Sequence, residues 1–133
     1  PEDMVNVVKK LRAAGCDDVL LTERGSTFGY HDLVVDFRGF ARMRAAGAPV
    51  IFDVTHSLQR PGGLGNTSGG EPALAAMMAR AAAAVPVDGF FIETHPDPSR
   101  ALSDAAAMLP LDQLDGLLHD VARIAALARE IAR

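Results

Sequence analysis

Three short polar clusters in this chain hold side chains that could do chemistry, and each follows directly on an apolar run: Glu23-Arg24, Asp53 with His56, and Glu93 with His95. Arg24 is a fixed cation followed by Gly25, an arrangement suited to bidentate binding of phosphate or carboxylate. It suits equally an ion pair with Glu23 or another carboxylate. His56 has three readings: metal ligand, acid/base, or hydrogen-bonded structural imidazole. Glu93, together with Asp104 further along, supplies hard oxygen donors, and a histidine plus two carboxylates binds a divalent transition metal. The spacing of His56, Glu93 and Asp104 matches no short metal motif, so only a fold could bring them together. His95 stands two residues beyond Glu93, which in a strand puts both on one side, although its neighbour Pro96 suits a plain loop. His31 and His119 lack comparable context and read as surface or helix-face residues.

The elements that must position these groups alternate in type. Met4, Val7, Val8 and Leu11 have the i, i+3, i+4, i+7 spacing of an amphipathic helix, and Gly15 is a stop. Val19-Leu20-Leu21 predicts a short strand buried on both faces. A second helix carries Phe37, Phe40, Ala41 and Arg44, with Asp36 as N-cap and Gly47 at its end. Val50-Ile51-Phe52 is the next strand. Then comes a Gly-rich loop, Ser57 to Gly70, read as a flexible active-site loop. Its Gly62-Gly63-Leu64-Gly65 stretch is neither a P-loop nor a dinucleotide fingerprint, because no Gly-Lys-Ser/Thr follows and Ser68 stands in the place of the final glycine. Pro72 suits the start of a third helix, with Leu74, Met77, Met78 and Ala81 as its apolar face. Gly89-Phe90-Phe91-Ile92 is the third strand, and a polar loop runs from Asp97 to Pro110. The last helix begins near Asp112, with Leu114, Leu117, Leu118, Val121, Ala125 and Ala128 on one face, and Gly116 slightly weakens its first turns.

The order α-β-α-β-α-β-α implies an α/β fold of parallel strands with helical crossovers. In such folds ligands bind beyond the carboxyl ends of the strands. Neighbouring strands lie about 4.8 Å apart, so the three polar clusters would share one rim. Three strands cannot close a barrel. A complete (β/α)8 barrel takes roughly 250 residues, and the 133 residues here amount to about half of one. Pattern alone leaves an open α/β sheet as the alternative.

Composition narrows the partners. Hydrophobic residues make up 49% and charged residues 23%, enough apolar material for a core and too little charge for wholesale disorder. Net charge is −4 and no basic run is present, which removes the electrostatic footing for nucleic acid. No apolar stretch approaches the roughly 20 residues of a membrane span. The acidic start, Pro1-Glu2-Asp3, is unlike a signal peptide, and the missing initiator Met fits a processed or truncated product. Cys16, the lone cysteine, has no internal partner, so a cytoplasmic address is expected, with Cys16 itself a small buried or half-buried residue.

At this point longer blocks become recognisable. Thr22-Glu23-Arg24-Gly25-Ser26-Thr27-Phe28-Gly29-Tyr30 with Leu33-Val34-Val35-Asp36, then Phe52-Asp53-Val54-Thr55-His56-Ser57-Leu58-Gln59-Arg60-Pro61-Gly62-Gly63, then Phe91-Ile92-Glu93-Thr94-His95-Pro96-Asp97-Pro98 with Ala101-Leu102-Ser103-Asp104-Ala105 and Leu109-Pro110-Leu111 span nearly the whole chain. They resemble the 3-deoxy-D-manno-octulosonate 8-phosphate synthase (2-dehydro-3-deoxyphosphooctonate aldolase) family. The resemblance implies the C-terminal half of a (β/α)8 TIM barrel, with residues 1–133 a partial barrel domain whose N-terminal half is missing.

The family condenses phosphoenolpyruvate with D-arabinose 5-phosphate and releases phosphate, in the Kdo branch of lipopolysaccharide biosynthesis. By resemblance Arg24 would bind phosphoenolpyruvate, His56, Glu93 and Asp104 fall on metal-ligand positions, and His56 and Asp104 would act in catalysis. The implied cofactor is a divalent ion, Zn, Fe or Mn, bound more weakly in acid because the ligating nitrogen must be unprotonated. A cysteine ligand found in the metal-dependent branch, family lysines and the arabinose-phosphate loop would lie upstream of Pro1, and Cys16 is not assigned to the ligand role. Gly63-Leu64-Gly65 and Leu102-Ser103-Asp104-Ala105 resemble the metal-dependent branch. A cytoplasmic homotetramer is implied for the intact protein. Two alternatives stand beside this reading: a related condensing enzyme that uses erythrose 4-phosphate, and a non-catalytic half-barrel that binds or assembles, since half a barrel leaves strand edges open.

Overall fold

A computed structural model describes residues 1–63, 68–85 and 87–133. The Leu64-Gly65 part of the glycine-rich stretch therefore lies outside the described residues.

Helix α1 (Met4–Ala13) ends as its glycine requires. Gly15 has φ +85°, its N–H bonds Arg12 O at 2.9 Å, and Cys16 N–H bonds Leu11 O at 3.0 Å, a Schellman closure. Cys16 itself is exposed, not buried as its size suggested, because this closure turns the chain on the surface. Strand β1 is Leu21–Glu23, two residues later than expected. Val19 and Leu21 are buried but Leu20 is 61% exposed, so the run alternates and is not buried on both faces. Leu20 precedes β1 and points away from the packed face, where nothing among the described residues covers it.

An antiparallel hairpin of β2 (Ser26–Phe28) and β3 (Asp32–Val34) follows. Its bend places Gly29 and His31 at positive φ (62° and 65°). Helix α2 (Arg38–Arg44) buries Gly39, Phe40 and Met43. Asp36 lies one residue before the assigned cap, Phe37, and accepts the Arg38 N–H at 3.0 Å. The Arg38 side chain also donates to Asp36 at 2.8 Å, and this hydrogen bond holds the Asp36 carboxyl below its ordinary pKa.

Strand β4 (Val50–Asp53) lies at the centre. It pairs in parallel with β1 (Leu21↔Val50 to Glu23↔Phe52) and with β7, Gly89–Phe91 (Ile51↔Gly89 to Asp53↔Phe91). Between β4 and β7 run a short antiparallel ribbon, β5 (Gln59–Arg60) with β6 (Gly69–Gly70), and helix α3 (Ala75–Ala83). Beyond β7, β8 (Thr94–His95) pairs in parallel with β9 (Leu109–Pro110), and α4 (Leu114–Ile131) closes the chain. This is a mixed α/β fold with parallel strands joined by helices. The three-stranded sheet is open.

The core sits between this sheet and its helices. Phe37, Phe40, Phe52 and Phe90 form a chain of edge-to-face contacts with centroids 5.4, 5.7 and 6.4 Å apart. Val8, Phe40, Val50, Phe52 and Val54 are completely or almost completely buried. Of the face expected for α3, only Met78 packs against the core, partly buried, and Ala81 is exposed. Leu74 and Met77 are exposed, and Ala75, Ala79, Ala82 and Ala83 are buried. Leu74 belongs to a preceding 3-10 turn, Pro72–Leu74, whose tighter winding shifts its phase against the helix. The alanines allow α3 to lie close to α4, where a larger side chain would hold it off. In α4, Leu117 and Val121 are buried as expected, while Leu118 is 47% exposed. Among the described residues no helix is long and apolar enough to cross a membrane.

Candidate active site

The three parallel strands deliver their polar ends to one rim. At the end of β4, Asp53 is buried and its two oxygens both serve His56: Oδ1 accepts the His56 backbone N–H at 2.9 Å and Oδ2 lies 2.7 Å from Nδ1. A carboxylate only accepts, so the neutral ring carries its proton on Nδ1 and presents the Nε2 lone pair. Phe91 lies against the imidazole, with ring centroids 5.7 Å apart and planes tilted by 33°.

Glu93 is fixed by its backbone. Its N–H donates to the buried Thr55 hydroxyl at 2.7 Å, which ties the end of β7 to the end of β4. Its carbonyl accepts the Leu109 N–H at 3.0 Å from β9. Asp104 arrives from the long loop in a left-handed conformation, φ +53°, which aspartate tolerates better than most residues. Its carbonyl accepts the N–H groups of Ala107 and Met108 at 2.9 and 3.1 Å.

His56 Nε2 thus stands 3.7 Å from Glu93 Oε1 and 3.9 Å from Asp104 Oδ1, and the three ligand atoms lie within 4.8 Å of one another. These separations exceed hydrogen-bond reach. Among the described residues, the buried Glu93 Oε2 has no hydrogen-bond partner. A lone pair and two carboxylates facing one space repel unless a cation lies between them. Metal–ligand bonds of about 2.1 Å place two donors about 3.4 Å apart at a tetrahedral angle and about 4 Å apart at wider angles. The donors, their spacing and the orphaned oxygen all fit a divalent ion. Asp53 supplies the outer carboxylate that commonly orients a ligating histidine.

Arg24 is exposed at the end of β1, on the same rim. It makes no ion pair with Glu23, whose Oε1 accepts the Gly25 N–H at 2.6 Å. Its Nη2 donates instead to Gln59 Oε1 at 3.2 Å, and Gln59 Nε2 donates to Asp104 Oδ1. The ion-pair alternative for Arg24 is therefore not the one realised among the described residues, and its guanidinium keeps donors for an anion. His95 is not in the cluster; it lies in β8, not in a plain loop, and its Nδ1 accepts the Asp97 N–H at 3.0 Å. His31 lies beside Pro61 O at 2.6 Å, and His119 is exposed on α4.

Sequence reasoning assigned no role to Gln59 or Thr55. A strand-end threonine is common, and nothing in spacing announces that Gln59 bridges two polar clusters. The only local signal was its position three residues after His56.

Comparison with known proteins places the chain in context. The model of the DAHP synthetase I family matches residues 1–129. A 2-dehydro-3-deoxyphosphooctonate aldolase of Syntrophotalea carbinolica is 53% identical over 129 residues, covering 97% of this chain and 47% of that protein. Proteins of the same name from a Cyanothece species and from Stenotrophomonas maltophilia are 54% and 48% identical, over 93% and 98% of this chain and 45% and 47% of theirs. The chain thus spans about half the length of the curated relatives it matches.

Proposed function

We infer, since this chain belongs to the DAHP synthetase I family, that the intact protein condenses phosphoenolpyruvate with D-arabinose 5-phosphate and releases phosphate, the 3-deoxy-8-phosphooctulonate synthase reaction of Kdo biosynthesis. The observation that carries this reading is the 53% identity across 97% of the chain to a protein named for that octonate product. On this reading residues 1–133 are the C-terminal half of a (β/α)8 barrel, in a cytoplasmic protein that assembles as a homotetramer.

In the reaction, C3 of phosphoenolpyruvate bonds to the sugar aldehyde carbon, whose oxygen takes up a proton. Water adds at C2 and loses a proton, and the C2–O bond to phosphate breaks. Arg24 binds the phosphate of phosphoenolpyruvate as a bidentate cation. His56, Glu93 and Asp104 would hold a divalent ion, with Zn, Fe and Mn all compatible with one imidazole and two carboxylates. A bound ion supplies Lewis acidity toward the aldehyde or the attacking water. Asp53 keeps the His56 proton on Nδ1, so that Nε2 remains a donor to the ion. Asp104 would take the proton that the attacking water loses. Leu102-Ser103-Asp104-Ala105 supports the metal-dependent branch.

The test is phosphate release by the intact protein, given phosphoenolpyruvate with arabinose 5-phosphate or erythrose 4-phosphate, before and after chelation. Arabinose-dependent release that chelation abolishes and a divalent ion restores is expected. Release indifferent to chelation would leave the synthase but remove the metal. Release only with erythrose 4-phosphate would favour the second reading, which the name of the matching family supports.

For the 133 residues by themselves we propose no turnover. β1 and β7 are the edges of an open three-stranded sheet, and unpaired edges invite association. Sedimentation of this stretch is expected to show self-association.

A further inference from the structure

We propose that Gln59 is a positioning residue that holds Asp104 for the metal ion and joins it to the anion-binding Arg24. This rests on the metal reading above and extends it to a residue outside the ligand set.

The amide of Gln59 has one orientation that satisfies its surroundings. Arg24 can only donate, so it must face Oε1, and Asp104 as a carboxylate can only accept, so it must face Nε2. Both contacts are present: Arg24 Nη2 to Oε1 at 3.2 Å, and Nε2 to Asp104 Oδ1. The oxygen that Gln59 engages is the one nearest His56 Nε2, at 3.9 Å. A carboxylate oxygen has two lone pairs, so it can accept the amide N–H on one and face an ion with the other.

Asp104 needs such a guide. It sits on a loop at φ +53°, and within its own loop only its backbone carbonyl is bonded. The ribbon that carries Gln59 also supports that loop from below. Gln59 pairs in register with Gly70, and a Cβ at Gly70 would stand 2.5 Å from Ala106 O. The absence of a side chain there lets β6 lie directly against the backbone two residues after Asp104. One cross-strand pair therefore sets both the loop's height and the direction of its carboxylate.

The experiment titrates the intact protein with Mn2+ and, separately, follows the visible absorption of bound Co2+, for wild type, Gln59→Met and His56→Ala. Methionine keeps the length of glutamine and removes both polar ends. Loss of an outer partner of a ligand typically costs about 10- to 100-fold in metal affinity. Gln59→Met is expected to weaken Mn2+ by at least about tenfold and to alter the Co2+ band, with the metal-free melting temperature unchanged. Mn2+ affinity and a Co2+ spectrum equal to wild type would overturn the role of Gln59 while leaving the metal site standing. Absence of uptake by wild type, or full uptake by His56→Ala, would overturn the metal reading and this inference with it. Should Gln59→Met melt early, Gln59→Asn supplies the second readout. It keeps an amide one methylene short of Asp104, and wild-type affinity in that variant overturns the proposal.

Discussion

The two ends of β4 are each closed by an aspartate, and the two aspartates do opposite work. Below the strand, Asp88 takes the Val50 N–H on Oδ2 and Arg44 Nη2 on Oδ1, both at 2.8 Å. Its charge is met by a cation and its geometry ends there. Above the strand, Asp53 also takes one backbone N–H and one side-chain nitrogen, but that nitrogen belongs to an imidazole. The far side of the ring then faces Glu93 and Asp104, and Glu93 Oε2 is left without a partner among the described residues. One arrangement completes its hydrogen bonding and reads as structure. The other passes an electron pair onward into a space with excess negative charge and reads as a site.

Replacing residues at the two ends should separate stability from activity. His56→Ala is expected to have the largest effect, a fall in phosphate release of about a thousandfold or more in the intact protein, with little change in metal-free stability; comparable turnover would put His56 outside the chemistry. Asp53→Asn should weaken Mn2+ binding by about 10- to 100-fold, because the amide can leave the imidazole in the wrong tautomer; isothermal titration reads it. Asp88→Ala should do the converse. It strands the N–H of the fully buried Val50, at about 1–3 kcal/mol in denaturant unfolding, and leaves metal affinity alone. Glu93→Gln should raise metal-free stability by about 1 kcal/mol and lose that advantage at saturating Mn2+, since the negative charge it removes is uncompensated only without the ion.

The smallest effect lies away from both ends. The Asp36 carboxyl, held below its ordinary pKa by Arg38, contributes stability above the ordinary carboxylate range that is lost as pH falls through its folded-state value. Asp36→Asn should therefore lower the melting temperature slightly at pH 7, and the difference should shrink as pH falls below the ordinary aspartate range.

Much of this contrast was legible beforehand. Strand ends in parallel α/β folds gather ligands, so Arg24, His56 and Glu93 could be placed on one rim from the runs Val19–Leu21, Val50–Phe52 and Gly89–Ile92. What stayed hidden has identifiable causes. The β2–β3 hairpin turns on backbone conformations of Gly29 and His31 that spacing does not announce, and its strands are three residues long. Apart from Met78, the buried face of α3 was missed because hydrophobicity ranks Met77 above Ala79, whereas close helix packing selects the smaller side chain. Leu20 looks like core in a run of three apolar residues, but its burial depends on whether anything covers the face to which it points. Gln59 joins residues 35 and 45 positions away, a relation that only the folded chain contains.

The left-handed backbone at Asp104 has a consequence for inheritance. Glycine, asparagine and aspartate are the residues that adopt this conformation most readily, and of these only aspartate carries a charge. Single-nucleotide changes in an aspartate codon reach both of the other two. The cheapest mutational steps at position 104 therefore keep the loop and discard the carboxylate, so a lineage could lose the anionic donor in one event while keeping a protein that folds.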